Sequence, residues 1–336
     1  MLRFTTALGL SLAIASPALA QEVNLYSSRH YDTDLQIYEN FTAETGIAVN
    51  LIEGSGEQLI QRIVTEGINS PADLFITADG GRLYAAAQAG ILQPVDSAVL
   101  EARVPQSMRD PDNLWFGLTA RARVIFTRAD TERPDWLNDY EDLADPRLAG
   151  EICIRSSSNI YNISLMAEMI DALGAEAAQD WAQGVANNLA RPPQGGDRDQ
   201  LRALAAGECS VAVSNRYYWG ALAASSDPAD IAVAQAVSFF YPNQDNRGAH
   251  VNISGAGVAA NAPNRENAIR FLEFLISDEA QQLLADGNNE SPVVDGVAIT
   301  GPIAPFTEFK SSDVNVSIYG RNARQATDIF DIVDFP

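Results

Sequence analysis

The sequence predicts an α/β protein built as two lobes around a central cleft. Short apolar runs alternate with amphipathic stretches from Val23 onward, and a second alternating series begins after Arg121. The two series are joined by extended crossings rather than by a polar linker. A chain of 336 residues with 46% hydrophobic content suits one large or two medium domains with real cores.

The elements follow in order. Val23–Ser27 reads as the first strand. Asp32–Thr45 reads as a helix, with Leu35, Tyr38 and Phe41 on one face and Gly46 just past its end. Val49–Glu53 is a second strand and Glu57–Glu66 a helix. Asp73–Thr77 is a third strand, and Arg82–Ala89 a short helix before Gly90. This βαβαβ order predicts a mostly parallel sheet with helices on both faces. In the second series the strands are Arg123–Thr127, Ile152–Ile154, Val211–Ser214 and Val237–Phe240, with helices at Tyr161–Leu173, Ala175–Asn188 and Gln200–Ala206. Ser254–Ala259 reads as a buried strand leading into a helix over Asn264–Ile276, with Pro263 near its start. The expected crossings between the lobes are Arg121–Arg128 and Tyr241–Asn252.

Met1-Leu2-Arg3, an apolar run over Ala7–Ile14 and a small-residue end at Ala18-Leu19-Ala20 describe a secretory signal peptide cut after Ala20. The run is too short to anchor the chain across a bilayer, and no later stretch is long and apolar enough. Gln21, not Cys, follows the cut, so no lipid anchor is expected there. The mature chain is expected in the periplasm, without membrane insertion. The formal net charge is −22, which argues against non-specific binding to nucleic acid or to anionic membranes. The acidity suits solubility and is compatible with a cationic ligand. The two cysteines, Cys153 and Cys209, each sit beside a core strand. In an oxidising compartment such a pair is read as a disulfide, with two buried free thiols as the alternative.

Ligands of open α/β sheets collect where strands end and helices begin. Those turns here read Ser28-Arg29-His30-Tyr31, Arg155-Ser156-Ser157-Ser158-Asn159-Ile160-Tyr161, and Asn215-Arg216-Tyr217-Tyr218. Four of the ten tyrosines, Tyr31, Tyr161, Tyr217 and Tyr218, therefore stand at or just inside a helix start. One such tyrosine is best read as a half-buried aromatic with a wet hydroxyl; four in three separate turns point to a common ligand. A phenol ionises only near pH 10, so a highly charged hard cation is needed to draw it into the phenolate form at neutral pH. Ferric ion meets that need, since hard oxygen donors suit it and phenolate is an established iron(III) ligand.

His30 is either a nitrogen ligand beside Tyr31 or a hydrogen-bonded residue at the cleft edge. His250 lies in an expected crossing and is read as structural. Arg121 and Arg123 fall on one face by strand alternation, one of them potentially a surface residue. Arg121 is favoured as a cation close behind the phenolates, steadying their charge and biasing the iron oxidation state. Ser156-Ser157-Ser158 offers either an anion cradle or ordinary helix capping.

Taken together, these stretches resemble the periplasmic ferric-iron-binding proteins of ABC-type importers. The resemblance is carried by Leu25–Tyr31, Asn69–Asp73, Trp115–Leu118, Ile154–Tyr161, Ala190–Gly195, Tyr217-Tyr218, Pro242–Gln244, His250–Gly257 and Phe271–Leu275, and it covers nearly the whole mature chain. It implies a bilobed type II periplasmic binding protein fold that closes over Fe³⁺, held by Tyr31, Tyr161, Tyr217 and Tyr218 with no obligatory anion. His30 is a ligand in some members and not in others, and Arg121 matches a position behind the ligands. It also implies a monomer that delivers iron to an inner-membrane ABC permease. The expected division is a signal peptide over 1–20, a first lobe of 21–120 plus about 251–292, and a second lobe of 121–250 plus about 293–336. The chain departs from the family pattern at Gly195-Gly196-Asp197, expected in a loop clear of the tyrosines. Two rivals remain: a receptor for an oxyanion or small organic ligand using Arg155 and the serines, and an iron enzyme, which the two histidines and lack of a His–Glu motif disfavour.

Overall fold

The computed structural model describes residues 21–29 and 31–336. The expected signal peptide and His30 lie outside the described residues.

The first series forms as β1 (Glu22–Ser27), α1 (Asp32–Thr45), β2 (Ala48–Glu53), α2 (Gly56–Glu66), β3 (Leu74–Ala78) and α3 (Gly80–Gln88). α1 stops because Gly46 turns left-handed at φ 73°, its N–H returning to the Thr42 carbonyl. α2 starts one residue earlier than the apolar spacing suggests because Ser55 and Gln58 form a reciprocal capping box. α4 (Ala98–Arg103) leads to β4 (Phe116–Arg128), whose first twelve residues are all buried.

The second series follows as β5 (Ile152–Cys153), α5 (Ile160–Leu173), α6 (Ala175–Asn187), α7 (Asp197–Ala206), β6 (Val211–Asn215), α8 (Arg216–Ala223), α9 (Pro228–Ala236) and β7 (Val237–Phe240). The chain then returns through β8 (Val251–Val258), α10 (Arg265–Leu275), α11 (Asp278–Asn288) and β9 (Ser291–Pro292), and ends in α12 (Ser317–Arg321) and α13 (Ala323–Ile332).

The strands run in the order β2-β1-β3-β8-β4-β6-β5, with β7 and β9 also paired to β4. Pairing is parallel for β1 with β2 and β3, and for β5 with β6. It is antiparallel wherever β4 or β8 takes part. The mostly parallel expectation thus describes the βαβαβ run, and the crossing strands make the whole sheet mixed. β4 is longer than expected because its two ends serve different partners. Phe116–Ala122 pairs with β8, and Arg123–Thr127 pairs with β6. Arg121 therefore sits in mid-strand rather than at a strand start. The second expected crossing begins only at Val251. Before it, Pro242 has no N–H to give a ladder, and Asn243, at φ 59°, closes a turn. The Asn243 side chain accepts from the Tyr140 N–H at 3.0 Å and donates to Glu141 at 3.0 Å.

Cores lie on both sides of the shared strand. On the β1 side, Phe41 of α1 meets Phe271 of α10 with ring centroids 4.7 Å apart. On the β6 side, Leu165, Met166 and Trp181 pack against Ile125 and Val213. Each such side chain buried contributes roughly 1.5–3 kcal/mol. Cys153 and Cys209 are joined in a disulfide with Cα atoms 5.9 Å apart, because β5 lies alongside β6 and Cys209 just precedes it. Among the described residues no helix is long and apolar enough to cross a membrane.

Candidate functional site

Three helix starts aim phenols into one cleft. Tyr31 occupies the cap position before α1 in extended backbone. Tyr161 is the second residue of α5, where the Asn159 side chain caps the helix by accepting the Tyr161 N–H at 3.1 Å. Tyr217 and Tyr218 are the second and third residues of α8. All four line a cavity of about 390 Å³, together with Ser28, Arg29 and Asn289. The Tyr161 and Tyr217 hydroxyls stand 3.5 Å apart, and the rings of Tyr217 and Tyr218 are tilted by 32° at 4.1 Å between centroids. Consecutive helical residues diverge in direction, so only a helix start lets both reach one cavity.

Tyr31, Tyr217 and Tyr218 are held in an environment that resists their ionisation without a cation. Burial first, then Glu290, pushes Tyr31 up to about 12. Burial, followed by the neighbouring phenols Tyr161 and Tyr218, lifts Tyr217 well above the ordinary range. Tyr218 is raised for the same reasons, with Tyr161 and Asp197 adding to its burial. Among the described residues no group of three His, Cys, Asp or Glu side chains is arranged to hold a metal ion, so the phenols are the candidate donor set.

A buried charge network backs the cleft. Burial alone would pull the Arg121 guanidinium down, but Tyr161, Glu290, Tyr217 and Tyr31 outweigh it and hold it above its usual value. Arg121 donates to the Ile253 carbonyl and to Ser254 Oγ at 3.1 Å, and its guanidinium carbon lies 5.7 Å from the Tyr161 ring centre. Arg29, beneath the Tyr31 ring at 4.9 Å, pairs with Asp34 at 2.9 Å and Glu290 at 3.1 Å. Arg29, Asp34 and Glu290 escaped the sequence reading. Arg29 stood in the turn already singled out, between Ser28 and His30. Glu290 comes from the far end of the chain, where β9 returns to β4, and no periodicity marks it.

Several expectations change. Neither Arg121 nor Arg123 is a surface residue; they are 2% and 0% exposed. Arg123 ties together the starts of α5, α7 and α8 through Asn162 at 2.6 Å, Asp197 at 3.2 Å and Asn215 at 3.1 Å. The serines do not form an open cradle: Ser156 and Ser158 hydroxyls bond each other at 3.1 Å, and Asn159 does the capping. Asp197, closing the unusual Gly195-Gly196 turn, is not remote. It opens α7, pairs with Arg155 at 2.9 Å, and its charge reaches Tyr218. His250 is buried and paired with Glu168, two turns along α5 from Tyr161.

The chain matches the model for bacterial extracellular solute-binding proteins over residues 69–305. It is 50% identical to iron uptake protein A1 of Synechocystis over 94% of this chain and 87% of that protein. The solved structure of the Trichodesmium IdiA/FutA protein, in complex with iron and citrate ligands, superposes with a TM-score of 0.92 at 52% identity, covering 94% of this chain and all (100%) of that one. A ferric binding protein from Campylobacter jejuni superposes with a TM-score of 0.88 at 42% identity, over 94% of this chain and 100% of that one. The architecture is the type II periplasmic binding protein fold, and the resemblance to ferric-iron-binding proteins read from the sequence is borne out. This protein belongs to the bacterial extracellular solute-binding protein family.

Proposed function

We propose that this chain is the periplasmic solute-binding component of an ABC iron importer, which captures Fe³⁺ in the cleft and delivers it to an inner-membrane permease. The observation that carries the reading is the convergence of four phenols from three helix starts on one cavity backed by buried arginines. Tyr31, Tyr161, Tyr217 and Tyr218 bind as phenolates. Four phenolates outweigh the charge of Fe³⁺ by one; the buried cations Arg121 and Arg29 behind them are themselves balanced by Glu290 and Asp34. His30, which precedes Tyr31 in sequence, is the candidate nitrogen donor beside these four phenols. Iron is cargo, so the site needs no open coordination position for turnover.

Capture is ordered. The half of the molecule around β6 and α5 forms the second lobe and carries Tyr161, Tyr217 and Tyr218, which meet the ion first. Tyr31, from the half around β1, engages as the lobes close and expel water. Against the oxyanion-receptor reading, Arg155 is engaged with Asp197 and Ser156 with Ser158. Metal analysis after dialysis against ferric citrate tests the proposal. One iron per chain for the parent, and far less for Tyr161→Phe combined with Tyr217→Phe, is expected. Equal loading of parent and double variant would reject the phenol site.

A further inference from the structure

One stripe of α5 runs from the cleft to the rear of the molecule. Tyr161 faces the cleft. Ser164, one turn on, is 0% exposed, and its hydroxyl donates to both carboxylate oxygens of Asp79, at 3.0 and 2.9 Å. Glu168, a further turn along, accepts from Tyr319 of α12 at 3.1 Å and pairs with His250. Spacings of three and four keep these side chains on one helix face.

Asp79 belongs to the other half of the molecule. It joins β3 to α3, next to Ala78 in the cleft wall. Its backbone sits at φ 89° and ψ 125°, a conformation that non-glycine residues hold only when their surroundings impose it. Those surroundings are explicit. The Gly81 N–H donates to Asp79 at 2.7 Å, Asn252 Nδ2 donates at 2.9 Å, and the Asp79 N–H is taken by the Ile253 carbonyl at 2.8 Å. Asn252 in turn accepts the Gly80 N–H at 2.8 Å and stands opposite Arg121 in the β4–β8 ladder. Close packing seals the junction. Gly320 of α12 lies so near Tyr84 of α3 that a Cβ there would come within 2.4 Å of the Tyr84 side chain.

We infer that the Asp79–Ser164 contact is the pivot of lobe closure, and that these two are positioning residues which fix where Tyr161 meets Tyr31 over the ion. The inference rests on the proposed iron reading. The contact lies beside the strands that both halves share, so a rotation there moves it little and moves the phenols much. A hydrogen bond to a buried carboxylate is strong and directional, whereas apolar packing at the same place would slide. The rigid path from pivot to ligand is short on both sides. Ser164 is one turn from Tyr161. Asp79 follows β3, which pairs with β1, and Ser28 in the Tyr31 turn donates to Thr77 of β3 at 2.8 Å.

The test is the rate at which iron-loaded protein yields its iron to an excess of EDTA, followed by loss of the visible charge-transfer band of phenolate-bound iron(III), with urea unfolding of the iron-free protein in parallel. Ser164→Ala is expected to load one iron and release it roughly tenfold faster, as befits one lost hydrogen bond to a charged partner. Ser164→Thr, which keeps the hydroxyl, is expected to restore the slower release. Asp79→Asn, expected to speed release like Ser164→Ala, carries the test if Ser164→Ala does not fold. Release at the parental rate from the folded variants overturns the inference. So does faster release that Ser164→Thr fails to restore while urea stability falls in proportion. A parent that never develops the band would instead refute the iron reading itself, so the two failures are separable.

Discussion

Acid should empty this site, and the steepness of the response counts the phenolates. In the iron-free cleft Tyr31 carries its proton at neutral pH, held up to about 12 by burial and then by Glu290. Ionising that one phenol at pH 7 costs about 7 kcal/mol, roughly five decades at 1.36 kcal/mol each. Tyr217 and Tyr218 add to the cost, since burial and neighbouring phenols raise both. Iron must displace one proton from each phenol it binds. The iron-free state therefore holds more protons than the loaded state, so lowering the pH favours release. For four phenolates the affinity for free ferric ion falls by roughly 10⁴ for each unit of pH below neutrality. The assay is competition against a chelator of known protonation at several pH values between 5 and 8, corrected for the chelator's own protons. A slope near four is expected, and Tyr31→Phe should lower it by one. A slope near zero would refute phenolate coordination altogether.

Further outcomes follow from other parts of the molecule. Tyr217→Phe and Tyr218→Phe are each expected to reduce iron affinity more than Tyr31→Phe in equilibrium competition; equal losses would contradict ordered capture. Arg121→Gln removes the buried cation that faces Tyr161 and Tyr217, and is expected to weaken ferric binding by about tenfold or more and to move the visible band; unchanged affinity and colour would remove Arg121 from the account. The Cys153–Cys209 bridge spans 56 residues of sequence, and its reduction is expected to cost about 4 kcal/mol in urea unfolding. Iron loading of the reduced, still folded protein should persist, because the bridge joins β5 to the segment before β6 and not the cleft walls.

How much could be read in advance depended on whether the signal was local. α1 and α2 were legible because apolar spacing and, for α1, a terminal glycine act within a few residues, whereas the Ser55 cap that starts α2 one residue early went unread. The tyrosines were conspicuous for a related reason, since each opens a helix after a strand. β4 was read too short because its two ends answer to different partners, and burial on both faces erases alternation. Glu290 stayed hidden because it meets Arg29 from the opposite end of the chain, 261 residues on. Asp79 gave no hint at all. A left-handed aspartate before two glycines looks like any turn until Ser164 and Asn252 are brought onto its carboxylate.

The most direct measurement is the visible spectrum of the purified protein titrated with ferric citrate, beside Tyr217→Phe. Iron(III) bound by phenolate produces an intense orange-red charge-transfer band. The account predicts that the band saturates at one equivalent in the parent and is much weaker in the variant. A correctly folded parent that stays colourless through the titration would contradict it.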